Sequence, residues 1–342
     1  MKLFMPERVF FEPQSLGYPL GRKLHELFRS RNIEIAVASP GNIAKHMPQA
    51  DERLRFAWSK NTLVVAVKKG HKLDVCKPSA DFEFSLASNC PGSCEYCYLQ
   101  TNPGCRPYIK VFANLEDIFN NISSHIEENE NRVTTFEAAS LGDPLALEHL
   151  AGSVAKTIEF FGTLENGRLR IVTKYSFVDS LLGLEHHGHT RFRFSVNSRF
   201  VIDNFEHNTS RFEERIEAAS KISGAGYPIG FVVAPIMLYE GWKEQYSELF
   251  EMLGRKINTA CSREPVSFEL IQHRFTETAK KHILQRFPNT RLDMDESKRM
   301  LKWGRFGRYK YVYPKEQAAE IRQTISTLIN ERFPGAIIEY FT

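Results

Sequence analysis

Long hydrophobic runs are missing from this chain of 342 residues. No stretch approaches the roughly 20 apolar residues that a membrane-spanning helix needs, so no membrane partner is expected. The opening MKLFMPERVFFEP is interrupted by Pro6, Glu7 and Arg8. It has neither the apolar core nor the cleavage site of a secretion signal, and a cytoplasmic address is expected. Cysteine is scarce, with six in all, too few and too unevenly spaced for a disulfide framework. Charge of one sign is lacking as well. Lys and Arg number 45 against 41 Asp and Glu, a net charge of +4, which is compatible with nucleic acid binding but does not establish it. With 42% hydrophobic and 25% charged residues, the composition is that of a folded chain without extended disorder.

The few cysteines that are present are crowded. Cys90, Cys94 and Cys97 fall within CPGSCEYC, while Cys76, Cys105 and Cys261 stand apart. In a cytosolic chain such crowding points to metal or redox chemistry. Three thiolates leave one iron of a cubane cluster, which normally takes four, open to an exchangeable ligand. Gly92 and Ser93 are small enough to let the loop wrap a bulky cluster. The competing reading is a structural zinc site completed by Cys105. Zinc knuckles pair their ligands as two separated couples, which this triplet does not reproduce.

Strand and helix patterns alternate after Gly70, which predicts parallel strands joined by crossover helices. Strands are expected at 81–87, 134–139, 169–173, 191–196, 229–234 and 266–271, and helices at 115–127, 146–161, 211–223, 241–253 and 276–286. This is the pattern of an incomplete (β/α)6 barrel of the TIM type. Residues 1–80 read as a small α/β domain before it, with a helix at 15–31 and strands at 33–38 and 62–67. Chemistry in such barrels sits at the carboxyl ends of the strands. There the sequence places the cysteine loop, Asp143, Lys174, Ser195 with Asn197, and His273. Farther on, 298–313 alternates cations with aromatics around Gly304 and Gly307, a pattern for a β-hairpin with Arg305 and Phe306 at its tip. A helix at 316–333 closes the reading.

The C-x3-C-x2-C spacing, with the aromatic Tyr96 before its last cysteine, is the signature of the radical S-adenosylmethionine superfamily. Over nearly its whole length the chain resembles the spore photoproduct lyase family, through FEP near the start, KPSA at 77–80, CEYCYLQT at 94–101, RFRFSVNSRFVI at 191–202, GFVVAPI at 230–236, FELIQHRFT at 268–276, KWGR at 302–305 and the terminal EYFT. The resemblance implies repair of 5-thyminyl-5,6-dihydrothymine, a thymine dimer in spore DNA. A reduced [4Fe-4S] cluster on Cys90, Cys94 and Cys97 would cleave S-adenosyl-L-methionine, and the resulting radical would take a hydrogen from C6 of the lesion. Asp143, Lys174, Ser195, Asn197 and the backbone at Ala234 would form the S-adenosylmethionine pocket. Their carboxylate, ammonium, hydroxyl and amide groups suit its ribose, carboxylate and amino groups.

A dimer inside a duplex has to be extruded before a radical reaches it. The hairpin from Trp303 to Tyr309 resembles the family's DNA wedge, with Arg305 and Phe306 filling the gap and Lys302, Arg308 and Lys310 on phosphates. His273 would face the lesion. The resemblance further implies an electron donor such as a flavodoxin or ferredoxin and a cytoplasmic site of action in the spore core on germination, and the mild basicity fits a monomer on DNA. One departure stands out. Many family members carry a cysteine, the implied hydrogen donor to the product radical, where this chain has Ser140. A hydroxyl cannot replace it because O–H is much stronger than S–H. Cys76, beside the shared KPSA, is the expected relocated donor, with Tyr96 and Tyr98 relaying the radical. Rival readings are a radical enzyme acting on another nucleic acid or a peptide, and a DNA-binding protein with a structural metal.

Overall fold

A computed structural model describes residues 3–70, 72–100, 108–129, 132–138, 140–259, 264–304 and 309–342. The expected residues Cys105, Cys261, Arg305, Phe306 and Arg308 lie outside them. The chain forms two units. The first comprises 1–92, 102–173 and 179–190, and the second 93–101, 174–178 and 191–342.

In the first unit, Glu34–Val37, Arg8–Phe11, Thr62–Ala66 and Ile109–Phe112 lie side by side and parallel, with Ala87–Ser88 added antiparallel at the edge. Thr62–Ala66 is buried along its whole length, as the run TLVVA requires of a central parallel strand. Helix Pro19–Ser30 turns Leu20, Leu24 and Phe28 inward. Each such side chain contributes about 1.5–3 kcal/mol by leaving water. Helix Glu52–Lys60 begins where Asp51 accepts a hydrogen bond from the Leu54 amide at 2.9 Å, a carboxylate cap. A second strand set in this unit runs Gly167–Thr173, Thr134–Glu137 and Phe82–Glu83, all parallel, with Asp74–Val75 antiparallel to the last. Phe84 and Phe136 pack on Phe161 behind it.

The second unit holds four parallel strands in the order Thr190–Val196, Ile229–Ile236, Ser267–Gln272 and Ile337–Phe341. They are accompanied by helices Phe212–Gly224, Trp242–Lys256, Glu277–Arg286 and Lys315–Arg332. Arg193 and Glu269, each 2% exposed, form an ion pair within this sheet, and the Tyr340 hydroxyl donates to the other Glu269 oxygen. Gly230 makes room for the pair, since a Cβ there would lie 3.2 Å from Arg193 Cγ and closer still to Ser267. The hairpin forms as expected, with Met300 opposite Val312 and Trp303 opposite Tyr309.

The expected parallel strands and crossover helices are present, so the α/β class stands, with three local corrections. The strand at 81–87 breaks in two. The Phe84 amide is the last to bond the second set, donating to Glu137 O at 3.0 Å, and Leu86 O then accepts from Phe112 in the first sheet at 3.0 Å. The helix at 146–161 breaks at Gly152, whose φ of 64° is left-handed. The Glu148 carboxylate caps the helix that restarts there, accepting from the Val154 and Ala155 amides at 2.7 and 3.1 Å. Third, the chain ends in the strand Ile337–Phe341, which the closing helix had obscured.

Candidate active site

Of the triplet, Cys94 is buried and Cys90 and Cys97 are half-buried. The Gly92 amide donates to Cys90 Sγ at 3.3 Å. Lys60 Nζ donates to the carbonyls of Cys90 and Gly92 at 2.6 and 2.7 Å. Asn89, at a left-handed φ of 59°, bridges to Gly142, and its amide donates to the Leu141 carbonyl at 2.7 Å. The loop is thereby tied to the segment that carries Ser140. On the other side of the triplet, Ser93–Cys94 pairs antiparallel with Glu206–His207. The Cys97 amide closes a turn on the Cys94 carbonyl at 3.2 Å. Among the described residues no three Cys, His, Asp or Glu side chains close on one point as ligands of a single ion do. A cubane, whose irons each take a separate thiolate, makes no such demand. Three thiols on a loop supported by backbone contacts fit a cluster of that kind.

Within the second unit the structure brings Tyr96, Lys174 and Ser195 together. Lys174 Nζ reaches Ser195 Oγ at 2.9 Å, Tyr96 Oη at 3.0 Å and Glu206 Oε1 at 3.0 Å. The Tyr96 hydroxyl donates to the same Glu206 oxygen. Arg215, fully buried, meets the other oxygen at 2.5 Å. It also donates to the carbonyls of Ser210 and Ser195 at 2.8 and 3.0 Å. Burial opposes ionisation of Glu206, yet Arg215 and then Lys174 hold its carboxyl down at about 2. Burial and the Glu206 charge push the Tyr96 phenol well up. A carboxylate and a guanidinium thus stay charged in a dry setting, which such groups tolerate only when paired and hydrogen-bonded.

Asn197 is held by its amide on the Pro235 carbonyl at 2.7 Å and by the Tyr246 hydroxyl on its oxygen at 2.7 Å. Ala234 precedes Pro235 in the same strand. In the first unit Asp143 is buried and accepts from Thr173 Oγ1 at 2.9 and 3.0 Å. Glu206 and Arg215 were not singled out from the sequence. The one available signal was a cation, Arg215, in phase with the buried Phe212, Ile216 and Ala219 of its helix.

Cys76 is half-buried in a turn, its amide on Asp81 O at 3.1 Å and its carbonyl accepting from Ser79 and Ala80. Tyr98 is 57% exposed. His273 is enclosed, its Nδ1 3.3 Å from Arg299. Burial, then the Arg299 charge, lowers its pKa to about 3. The hairpin displays Trp303, 62% exposed and edge-on to Tyr309. Lys302 stands directly opposite Lys310. Burial together with Arg274 and Lys302 lowers the Lys310 pKa, so cations are crowded there.

The family model described as spore photoproduct lyase matches residues 4–342. The spore photoproduct lyase of Geobacillus sp. (strain Y412MC61) is 49% identical over 342 residues, all of both chains. That of Bacillus subtilis (strain 168) is 44% identical over 339 residues, 99% of each. A solved spore photoproduct lyase complexed with dinucleoside spore photoproduct superposes with a TM-score of 0.95 at 49% identity, covering 100% of both chains. Equal figures hold for a doubly substituted spore photoproduct lyase with AdoMet and dinucleoside spore photoproduct bound. In that variant a cysteine became alanine and a serine became cysteine, at positions numbered as Ser140 and Cys76 are here. With the thiol triplet, the lysine cradle and the basic hairpin all carried by a chain that matches from end to end, this protein belongs to the spore photoproduct lyase family.

Proposed function

We propose that the protein is a radical S-adenosylmethionine lyase that returns 5-thyminyl-5,6-dihydrothymine in DNA to two thymines. The observation that carries this reading is Lys174, an ammonium held by Ser195, Tyr96 and Glu206 and tied through Tyr96 to the C-x3-C-x2-C loop. Cys90, Cys94 and Cys97 would hold a [4Fe-4S] cluster. When bound, cluster and S-adenosylmethionine together supply the carbon radical that starts the reaction. Lys174 meets the carboxylate of the cofactor, and Ser195, Asn197, Asp143 and the backbone at Ala234 take its remaining polar groups. The strands holding these residues form the incomplete (β/α)6 barrel.

Cys76 gives the hydrogen atom that ends the reaction. Its S–H bond breaks and the product radical gains C–H; the thiyl left behind would take a hydrogen atom from Tyr98, Tyr98 one from Tyr96, and Tyr96 one from the deoxyadenosine formed from the cofactor, so that the radical returns to where it began. Tyr96 suits a relay because Glu206 and Lys174 fix its hydroxyl in place. The doubly substituted relative supports the assignment, because it was given the arrangement found in this sequence, a cysteine at 76 and none at 140. His273 shapes the substrate side through Arg299, and Lys302, Trp303, Arg305, Phe306 and Arg308 engage the duplex. A flavodoxin or ferredoxin reduces the cluster, and the enzyme works as a cytoplasmic monomer. Anaerobically reconstituted protein with dithionite, S-adenosylmethionine and dinucleotide spore photoproduct should yield thymine dinucleotide. Material that holds zinc without inorganic sulfide, or that leaves the photoproduct intact, would refute the reading.

A further inference from the structure

Lys60 ends the helix Glu52–Lys60 in the stretch of the chain whose sequence carries no catalytic motif. Its half-buried side chain lies 5.2 Å from the centre of the Phe56 ring. From there Nζ donates to two backbone carbonyls of the cysteine loop, Cys90 O at 2.6 Å and Gly92 O at 2.7 Å. These two carbonyls bracket the Pro91–Gly92 peptide. The N–H of that same peptide donates to Cys90 Sγ at 3.3 Å. One ammonium therefore sets both ends of the peptide that hydrogen-bonds the thiol. Hydrogen bonds to cluster sulfurs and local charge are among the factors that set an iron–sulfur potential.

We infer that Lys60 is a positioning residue for the cluster, fixing the Cys90 end of its loop and placing an ammonium group beside it that eases electron entry. This rests on the proposed reading of Cys90, Cys94 and Cys97 as cluster ligands. A lysine serving stability alone would hold the loop equally well loaded or empty and would leave the redox behaviour of the cluster unchanged. A cation near a group that gains negative charge on reduction favours the reduced form, and more strongly out of bulk water than in it.

The test begins with iron and sulfide content of the anaerobic native chain, whose absence would overturn the cluster reading and this inference with it before any variant is made. With native protein loaded, Lys60→Gln and Lys60→Arg are compared by redox titration followed by electron paramagnetic resonance. Lys60→Gln should take up an electron about tenfold less readily, a midpoint lower by about 59 mV for one electron, while Lys60→Arg stays near native. If Lys60→Gln fails to load, native loading and midpoint in Lys60→Arg support the inference. A native midpoint in loaded Lys60→Gln overturns it, as does an equal loss of loading or midpoint in both variants.

Discussion

Lys174 and Glu206 form an ion pair with Nζ 3.0 Å from Oε1, and the glutamate is fully buried. Because Arg215 occupies the second oxygen at 2.5 Å, one carboxylate balances two cations. Replacing it by an amide leaves Arg215 enclosed without a counter-charge. Glu206→Gln should cost about 3–5 kcal/mol of unfolding free energy, the usual loss when one partner of a buried pair is removed. It should also weaken S-adenosylmethionine binding, because Lys174 is freed to turn away. Urea unfolding and equilibrium binding measure the two effects separately.

Acid should weaken the fold through His273. Its folded pKa of about 3 lies below the ordinary 6.5, so below pH 6.5 the unfolded chain takes up a proton that the folded chain refuses. The contribution is complete above pH 6.5 and is lost as pH falls toward 3, at up to about 1.4 kcal/mol per pH unit. Asp81 adds a second loss between 3.8 and about 2; burial opposes its charge, but Lys77 and Thr135 outweigh it. His273→Gln retains an acceptor for Arg299 and should flatten the profile from pH 6.5 to 4 in thermal unfolding. An unchanged slope would show that other groups dominate.

The donor assignment predicts that Cys76→Ala starts the reaction and fails to finish it. Substrate should be consumed while intact thymine dinucleotide falls at least about tenfold and adducts accumulate, a loss of about 1.4 kcal/mol or more in the partition. Adding Ser140→Cys to that variant should restore clean product. Chromatography with mass detection distinguishes the products, and clean turnover by Cys76→Ala alone would reject the role.

The hairpin should matter for duplexes and not for dinucleotides. Lys302→Ala should weaken duplex binding at every sequence and reduce the salt slope by about 1. Trp303→Ala should slow repair in duplex DNA while leaving dinucleotide turnover near native. Equal effects on both substrates would place these residues in the chemistry instead.

Much of this architecture was legible because it is periodic. The run GFVVAPI announces a strand buried on both faces, and Ile229–Ile236 is one. The cysteine triplet marked its loop by spacing alone. What stayed hidden depends on partners distant in the chain. Glu206 acquires meaning only once Lys174 and Arg215 are beside it, and Lys60 resembles any lysine that ends a helix until Cys90 O and Gly92 O are found within its reach. The break at Gly152 was masked because apolar spacing continues through it, and only the left-handed φ reveals it. Ile337–Phe341 escaped because its pattern is short and follows directly on the turn at Gly335, after a strong helix.

Gly142 constrains how such a chain can diverge. A methyl group there would come within 2.7 Å of the Asn89 carbonyl, so the loop bearing residue 140 can neither thicken nor shift without disturbing the segment that leads into Cys90. Selection is left little freedom to reshape that loop around a new side chain. On the proposed reading, a donor thiol on the separate turn of Cys76 leaves both that close approach and the cysteine loop untouched.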